Sequence, residues 1–243
     1  MDESFDIYTT VNGLVQVSNP VRKQILSQLA LSDLSLTDIS NMTGKAQSTL
    51  SVHLDKMAGE GLVAFRDDPA DSRRKIFKLS SKLMARSRTV NEDGKDIYLK
   101  TLECITDRSS NVFKIMLRAM IVGAETSGLC IGAAMRHIGK GMGKVLARSV
   151  RSTKVEDIIS ELQEFYEIHD IGEVCVYTFM PLTIIVRDSY EVTQCAAESI
   201  SMFSQGLFVT VLEEITRKRY KIASSESFGA GNNYSKFVLE QII

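Results

Sequence analysis

The segment KAQSTLSVHLDKMAGEGLVAFRDDPADSRRKIFKL, residues 45–79, sets the architecture expected for the first third of the chain. Leu50, Leu54 and Met57 recur at i, i+4 and i+7, the spacing that puts side chains on one face of an α-helix. The opposite face carries Gln47, Ser48, Ser51, Val52 and Asp55, which are short and mostly polar. Such a face suits the major groove of DNA, where amides, hydroxyls and methyls meet base edges. Gly59 and Gly61 close the helix, since glycine tolerates the left-handed conformation after a last turn. Leu62–Phe65 and Ile76–Leu79 then read as two short strands around a turn containing Asp67, Asp68, Pro69 and Asp71. Arg73, Arg74 and Lys75 stand at the tip and return of that hairpin. Helix, hairpin and cationic tip together predict a winged helix-turn-helix.

Upstream, Asn19-Pro20 is a cap and first-turn pair, followed by an apolar stripe of Val21, Ile25 and Leu29. Ser35-Leu36-Thr37-Asp38 resembles a capping box with Asp in place of the usual Glu, and opens a short helix that Gly44 ends. This short helix would brace the one that follows, as the first member of a helix-turn-helix does. Residues 4–17 carry Phe5, Tyr8, Val11, Leu14 and Val15 at helical spacing and are expected to form an opening helix.

Charge is distributed unevenly. The whole chain of 243 residues has a formal net charge of −1. Residues 44–88 hold 10 Lys and Arg against 5 Asp and Glu, whereas residues 1–43 hold 2 against 5 and residues 89–243 hold 17 against 20. The positive excess thus coincides with the expected helix and hairpin, the electrostatic footprint of phosphate contact. The N-terminus, MDESFDIY, lacks the cationic and apolar regions of a signal peptide, so none is expected. The most apolar stretch, residues 112–135, is interrupted by Lys114, Arg118 and Glu125 and makes a poor membrane span. Four scattered cysteines without paired spacing point to a reducing cytoplasm.

Beyond Leu79 the composition shifts. Residues 80–94 are polar and weakly patterned and read as a linker, and one helix is expected from about 95 to 122. Residues 127–150 are helical and dotted with Gly128, Gly132, Gly139, Gly141 and Gly143. Their spacing fits neither GxGxxG nor GxxxxGK[ST], which makes close helix packing the better explanation than a phosphate loop. Val155–Tyr166 is an amphipathic helix. Residues 174–179 and 182–186 are β-rich runs split by Met180-Pro181. Residues 191–217 read as a helix, with strands at 219–223 and 234–239 around a turn at Gly229–Asn233. The order suggests helices over an antiparallel sheet.

Two resemblances follow from these residues. Residues of about 20–82 look like the winged helix-turn-helix of the ArsR and MarR repressor families. Gln47-Ser48-Thr49-Leu50-Ser51-Val52-His53-Leu54 matches the ArsR-type recognition helix, and Asp71-Ser72-Arg73 with Lys78-Leu79-Ser80 resembles the MarR-type wing. Val52 stands where ArsR proteins often carry a polar residue, so one base contact is either lost or becomes a contact with a thymine methyl. Residues 20–82 contain no cysteine, so the Cys-pair metal sensing of ArsR proteins is not expected.

The section Gln205-Gly206-Leu207-Phe208, Ser224, Ser227, Gly231 and Ser235-Lys236-Phe237 resembles the 4-vinyl reductase domain, a sensor module of several regulators, over roughly residues 125–243. The zinc ligands common in that family would fall on Met202, Ser224, Ser227 and Ser235, which are feeble ligands beside thiolates, so no metal is expected. A winged helix joined to such a domain is similar to the MsvR-type redox regulators of methanogenic archaea. That resemblance makes Cys175 and Cys195 the redox candidates, followed by Cys104 and Cys130. Their alternative reading is as small core hydrophobes. His53 either reaches DNA or packs at the helix base, and His137 and His169 join no catalytic or metal spacing.

The expected class is α+β: an N-terminal winged helix-turn-helix (residues 1–82), a linker with a long linking helix that pairs two subunits or packs on its own C-terminal domain (83–124), and 4-vinyl reductase-like helices over an antiparallel sheet (125–243). The expected function is that of a cytoplasmic homodimeric transcriptional regulator, not an enzyme, reading a palindromic operator in double-stranded DNA. The DNA-binding candidates are Lys45, Gln47, Ser48, Thr49, Ser51, His53, Lys56, Arg66, Arg73, Arg74 and Lys75. The second domain would sense a small apolar effector or redox state, with no cofactor, no metal and no membrane partner. Two rivals stand beside this: an enzyme of tetrapyrrole or hydrocarbon chemistry with a regulatory DNA-binding head, and a ligand-free architectural DNA-binding protein.

Overall fold

A computed structural model describes residues 4–69, 71–90, 94–106, 111–187, 194–228 and 234–242. The chain divides into two compact units, Met1–Ser87 and Arg88–Ile243.

The first unit opens with a hairpin of β1 (Asp6–Thr10) and β2 (Gly13–Val17), paired in antiparallel register from Asp6↔Val17 to Thr10↔Gly13. The opening helix expected over residues 4–17 is therefore corrected. Val11 and Leu14 belonged to its apolar face, yet they are 91% and 73% exposed. What prevails is the turn: Asn12-Gly13 sits between β-branched runs, and Gly13 takes φ +111°, which side chains oppose. Asn12 N–H donates to Thr10 Oγ1 at 3.1 Å and holds the loop.

Helix α1 (Pro20–Leu29) starts on Asn19, whose side chain accepts from Arg22 N–H. The two-residue strand β3 (Leu34–Ser35) leads into α2 (Leu36–Thr43). The capping box is complete: Asp38 N–H donates to Ser35 Oγ at 3.2 Å, and Ser35 N–H donates to Asp38 Oδ2 at 2.9 Å. Gly44, at φ +65°, ends α2 in the left-handed region. Next come α3 (Gln47–Gly59), β4 (Val63–Asp68) and β5 (Asp71–Leu79), which form a three-stranded sheet ordered β3-β5-β4.

Strand β6 (Lys82–Ser87) pairs with β1, through Ile7↔Ala85 and Tyr8↔Leu83. These residues fall within the stretch read as a linker. Their pairing partner lies some 75 positions earlier in the sequence, so no local pattern could show it. The core joins Tyr8 and Val17 of the hairpin to Ile25, Leu26, Ile39, Leu50, Leu54, Met57 and Phe77.

The second unit begins with α4 (Gly94–Glu103), a 3₁₀ turn at Cys104–Thr106, and α5 (Val112–Thr126). Two helices thus stand where one was expected. Asn111 is the reason, since its side chain accepts from Phe113 N–H and Lys114 N–H and caps a new start. They pack together closely enough that a Cβ on Gly123 would meet the Tyr98 ring at 3.2 Å. After β7 (Leu129–Cys130) come α6 (Gly132–Leu146), α7 (Val155–Ile168), β8 (Glu173–Phe179), β9 (Leu182–Arg187), α8 (Gln194–Thr216), β10 (Arg219–Phe228) and β11 (Tyr234–Ile242). The sheet runs β10-β11-β9-β8, all antiparallel. Its inner face packs Leu182, Ile184, Phe237 and Leu239 against Ile158, Leu162 and Tyr166 of α7 and Leu207, Phe208 and Val211 of α8.

Glycine-mediated packing explains the dotted stretch. A Cβ on Gly139 would lie 2.1 Å from Phe203 O, one on Gly143 would lie 2.8 Å from Leu207 O, and one on Gly206 would lie 2.4 Å from Arg136 O. Helices α6 and α8 meet backbone to backbone. The turn expected at Gly229–Asn233 lies outside the described residues.

Candidate nucleic-acid interface

Helix α3 turns Leu50, Leu54 and Met57 fully inward and leaves Gln47, Ser48, Thr49, Val52, Asp55 and Lys56 exposed. Its inner anchor is apolar, so the outer face has no structural duty to the core. Val52 is 69% exposed, an apolar group held out in water on an otherwise polar face. Ser51 is half-buried and donates its hydroxyl to Gln47 O at 3.0 Å. His53 is half-buried as well.

The N-terminus of α3 has an unusual property for a surface helix. Ala46 occupies the N-cap and supplies no side-chain hydrogen bond, and the first turn carries no acid. The first N–H groups therefore stay available, with the positive end of the helix dipole and exposed Lys45 beside them. Such a terminus favours an approaching phosphate. The turn before it is pinned by Ser40 Oγ, which donates to Lys45 O at 2.8 Å. At the other end Arg22 Nη1 reaches Glu60 at 3.1 Å and ties the C-cap of α3 to α1.

The three hairpin cations do not act alike. Arg74 turns toward α2, where Nη2 donates to Ser35 Oγ at 2.9 Å and approaches Asp38 Oδ2 at 3.5 Å, while Nε lies 3.7 Å from Asp68 Oδ2. Hydrogen bonds from Ser35, helped by the Arg74 charge, hold the Asp38 carboxyl below its usual range. Arg74 braces the wing against the first helix of the pair. Lys75 sits on the opposite side, with Nζ 4.2 Å from the centre of the Phe65 ring, and Phe65 in turn packs on Phe77. The Arg73 side chain lies outside the described residues. Arg66 is exposed and pairs with Asp33 at 3.5 Å. Lys78, exposed on the return strand β5, was not among the candidates; its alternation with buried Phe77 is the signal that could have found it.

Of the redox candidates, Cys175 and Cys130 have described surroundings that bear on their thiols. Cys175 is half-buried on edge strand β8, and its thiol contacts Glu173 Oε1 at 3.4 Å. Burial and that carboxylate both push the Cys175 pKa up, opposite to what an oxidant-sensitive thiolate requires. Burial pushes the Cys130 thiol up too, although Arg88 donates to its sulfur. Cys104 is half-buried, and the Cys195 side chain lies outside the described residues. The positions aligned with zinc ligands do not converge on thiols: Ser235 Oγ faces Ser227 Oγ at 3.4 Å across β10 and β11. Among the described residues no three His, Cys, Asp or Glu gather to hold a metal ion. No helix among the described residues is long and apolar enough to cross a membrane.

Between α8 and the sheet lies a cavity of about 40 Å³, lined by Ile171, Val186, Ile200, Ser201, Ser204 and Ser235 among others. Ordinary small-molecule pockets run to roughly 300–1,000 Å³. Tyr166, fully buried below, donates its hydroxyl to Ser204 Oγ at 2.9 Å, and burial raises the phenol's pKa.

Comparison with known proteins places the first unit. Residues 19–64, which cover α1, α2, α3 and the start of β4, match the family described as bacterial regulatory protein, arsR family. Over 116 residues the chain is 28% identical to uncharacterized protein MJ0855 of Methanocaldococcus jannaschii, a match that covers 46% of this chain and 49% of the other. The chain thus spans about half the length of that relative. Among solved structures, the adhesin competence repressor AdcR of Streptococcus pyogenes aligns at a TM-score of 0.25 and 16% identity, covering 45% of this chain and 78% of that one. An H-NOX protein from S. oneidensis aligns at a TM-score of 0.39 and 9% identity, over 62% and 91% of the two chains. Both scores are too low to bear on function. Residues 19–64 are an ArsR-family helix-turn-helix, carried between an N-terminal hairpin and a braced wing.

Proposed function

We propose that the protein is a homodimeric, sequence-specific DNA-binding transcriptional regulator whose second unit is a sensor. The observation that carries the reading is the face of α3. Gln47, Ser48, Thr49 and Val52 stand exposed around an uncapped helix start, and the apolar side is wholly used by the core. Amides and hydroxyls would read base edges and Val52 a thymine methyl, while Lys45, Lys56, Lys75 and Lys78 neutralise phosphates. Arg74 contributes by fixing the wing rather than by contact with DNA.

Dimerisation is supported by α5. Its cations turn inward: Lys114 is bonded to Asp170 at 2.8 Å, and Arg118 is buried. Phe113, Met116, Leu117 and Met120, spaced i, i+3, i+4 and i+7, are 52–77% exposed. This stripe is uncharged, and a two-fold contact would set it against its own copy. A dimer would present two recognition helices to the successive half-sites of a palindrome.

The sensing role rests on the C-terminal unit having its own core and the small serine-lined cavity. The cavity has room for a few atoms, so a larger apolar effector would have to displace Phe203 or Phe228 from its lining. The resemblance to the 4-vinyl reductase domain points the same way.

The test is selection of bound fragments from a random duplex library, followed by anisotropy titration of the selected site. Gln47→Ala and Thr49→Ala should each weaken the selected site about 5- to 100-fold, as expected for loss of a base contact, and change mixed-sequence binding little. Failure of selection to enrich any sequence would overturn the reading. The uniform loss of affinity on all DNA would reduce α3 to a non-specific grip.

A further inference from the structure

The second unit carries a cationic surface of its own. No Asp or Glu occurs between residues 126 and 155, a span that holds Arg136, Lys140, Lys144, Arg148, Arg151 and Lys154 in a region otherwise richer in acids. One of these is engaged through its side chain, and another lies next to an acid. Arg136 reaches inward and donates to Gln205 Oε1 at 2.7 Å. Arg151 lies beside Glu161, whose carboxylate accepts from the Arg151 and Ser152 N–H groups and is held below its usual pKa chiefly by Ser152. Lys140, Lys144 and Arg148 are different: all three are exposed, and none belongs to an ion pair among the described residues.

Their spacing makes a row. Lys140 and Lys144 stand four apart on α6, about 6 Å along its axis, and Arg148 follows in the turn after the Ala147 cap. The two lysines lie on a flank of the helix beside the buried Gly132, Met135, Gly139 and Gly143. The helix is also held rigidly, because Gly139 and Gly143 seat it on the α8 backbone.

We infer that Lys140, Lys144 and Arg148 form a second phosphate-binding row that grips the backbone of duplex DNA outside the helix-turn-helix footprint. The inference rests on the regulator reading and extends it. A row of exposed cations on a convex surface matches an extended polyanion rather than a compact anion, which a concave site would enclose. An anionic lipid surface fits less well. The exposed apolar residues of α6, Ile138, Met142 and Val145, lie on a flank away from the row, and no aromatic side chain on α6 could anchor it in a bilayer. A helix seated on its neighbour through backbone contacts also cannot roll to bury that flank.

The experiment uses the full chain and a labelled mixed-sequence duplex of about four helical turns, titrated across salt concentration. The variant is Lys140→Gln/Lys144→Gln/Arg148→Gln, compared with the wild type and with Lys45→Gln/Lys56→Gln/Lys75→Gln on the winged face. The inference predicts that the slope of log K against log salt becomes shallower by about 2.7 for the α6 variant, from about 0.9 per phosphate contact. It also predicts at least a 10-fold loss of affinity at low salt, with an unchanged melting temperature. Charge reversal by Lys144→Glu alone should lower the slope by at least one contact and gives an independent reading. A slope equal to the wild type's in both variants overturns the inference, while a loss confined to the winged-face variant leaves the regulator reading standing. Absence of any duplex binding by the wild type overturns both. Loss of binding to phosphatidylserine vesicles with the DNA slope intact assigns the row to a membrane surface and likewise overturns the inference.

Discussion

Helices α3 and α6 solve opposite packing problems. Helix α3 anchors through large side chains, with Leu50, Leu54 and Met57 each 0% exposed, and so leaves its opposite face free of any duty to the core. Helix α6 anchors through the lack of side chains, with Gly139 and Gly143 against the α8 backbone. The first arrangement tolerates small changes in volume, because neighbouring side chains can adjust their rotamers. The second has no slack, since what a new atom meets is a carbonyl of a regular helix. Both designs leave an outward face rich in groups suited to a polyanion, reached by different routes.

The comparison can be broken most sharply at Gly139. Gly139→Ala places a Cβ 2.1 Å from Phe203 O, so the helices must separate. The expected loss is about 3 kcal/mol or more of unfolding free energy in urea, large for one added carbon. Gly141→Ala, two residues away with nothing within 4 Å, should instead be neutral or add roughly 0.5–1 kcal/mol through helix propensity. If the two variants behave alike, the backbone contact is not what holds α6.

In the first unit Leu54→Ala should cost about 2–4 kcal/mol, the ordinary range for a buried leucine, with a cavity as the cause. A loss as small as that of an exposed position would mean that α3 is not seated on its apolar face.

The smallest effect concerns the wing brace. Arg74→Ala should lower stability by only about 0.5–1 kcal/mol, because Arg74 and Asp38 are each about half exposed and solvent screens the pair. It should still weaken DNA binding if the brace sets the wing. The Asp38 carboxyl titrates below its usual value in the folded protein. Its contribution is thus complete above the unfolded pKa of roughly 4 and fades as pH falls through the lower folded value. Melting curves of the wild type and Asp38→Asn should therefore converge toward acid, and parallel curves would exclude the capping box as the source.

Much of the first unit was legible because its signals are local. The i, i+4, i+7 pattern found α3 to within a residue or two, and Ser35 with Asp38 announced the start of α2 three positions apart. The opening hairpin is hard to read because Tyr8, Val11, Leu14 and Val15 happen to suit a helix, whereas the deciding turn, Val11-Asn12 before Gly13, is only two residues long. The break between α4 and α5 was missed for a similar reason, since a single Asn111 cap divides one continuous apolar pattern. Three adjacent cations looked equivalent on paper, yet strand alternation sends Arg74 and Lys75 to opposite sides.

The sequence by itself determined the helix-turn-helix, the basic character of its surroundings, and the order of helices and strands from α6 onward in the second unit. Those depend on spacing within a few residues, where backbone geometry ties sequence distance to spatial distance. Only the tertiary structure decided that β6 completes the first sheet, that Arg74 is a brace, and that the glycines of α6 face Phe203 and Leu207 some 64 residues away. Each of these depends on a partner far along the chain, and no local pattern records who that partner is.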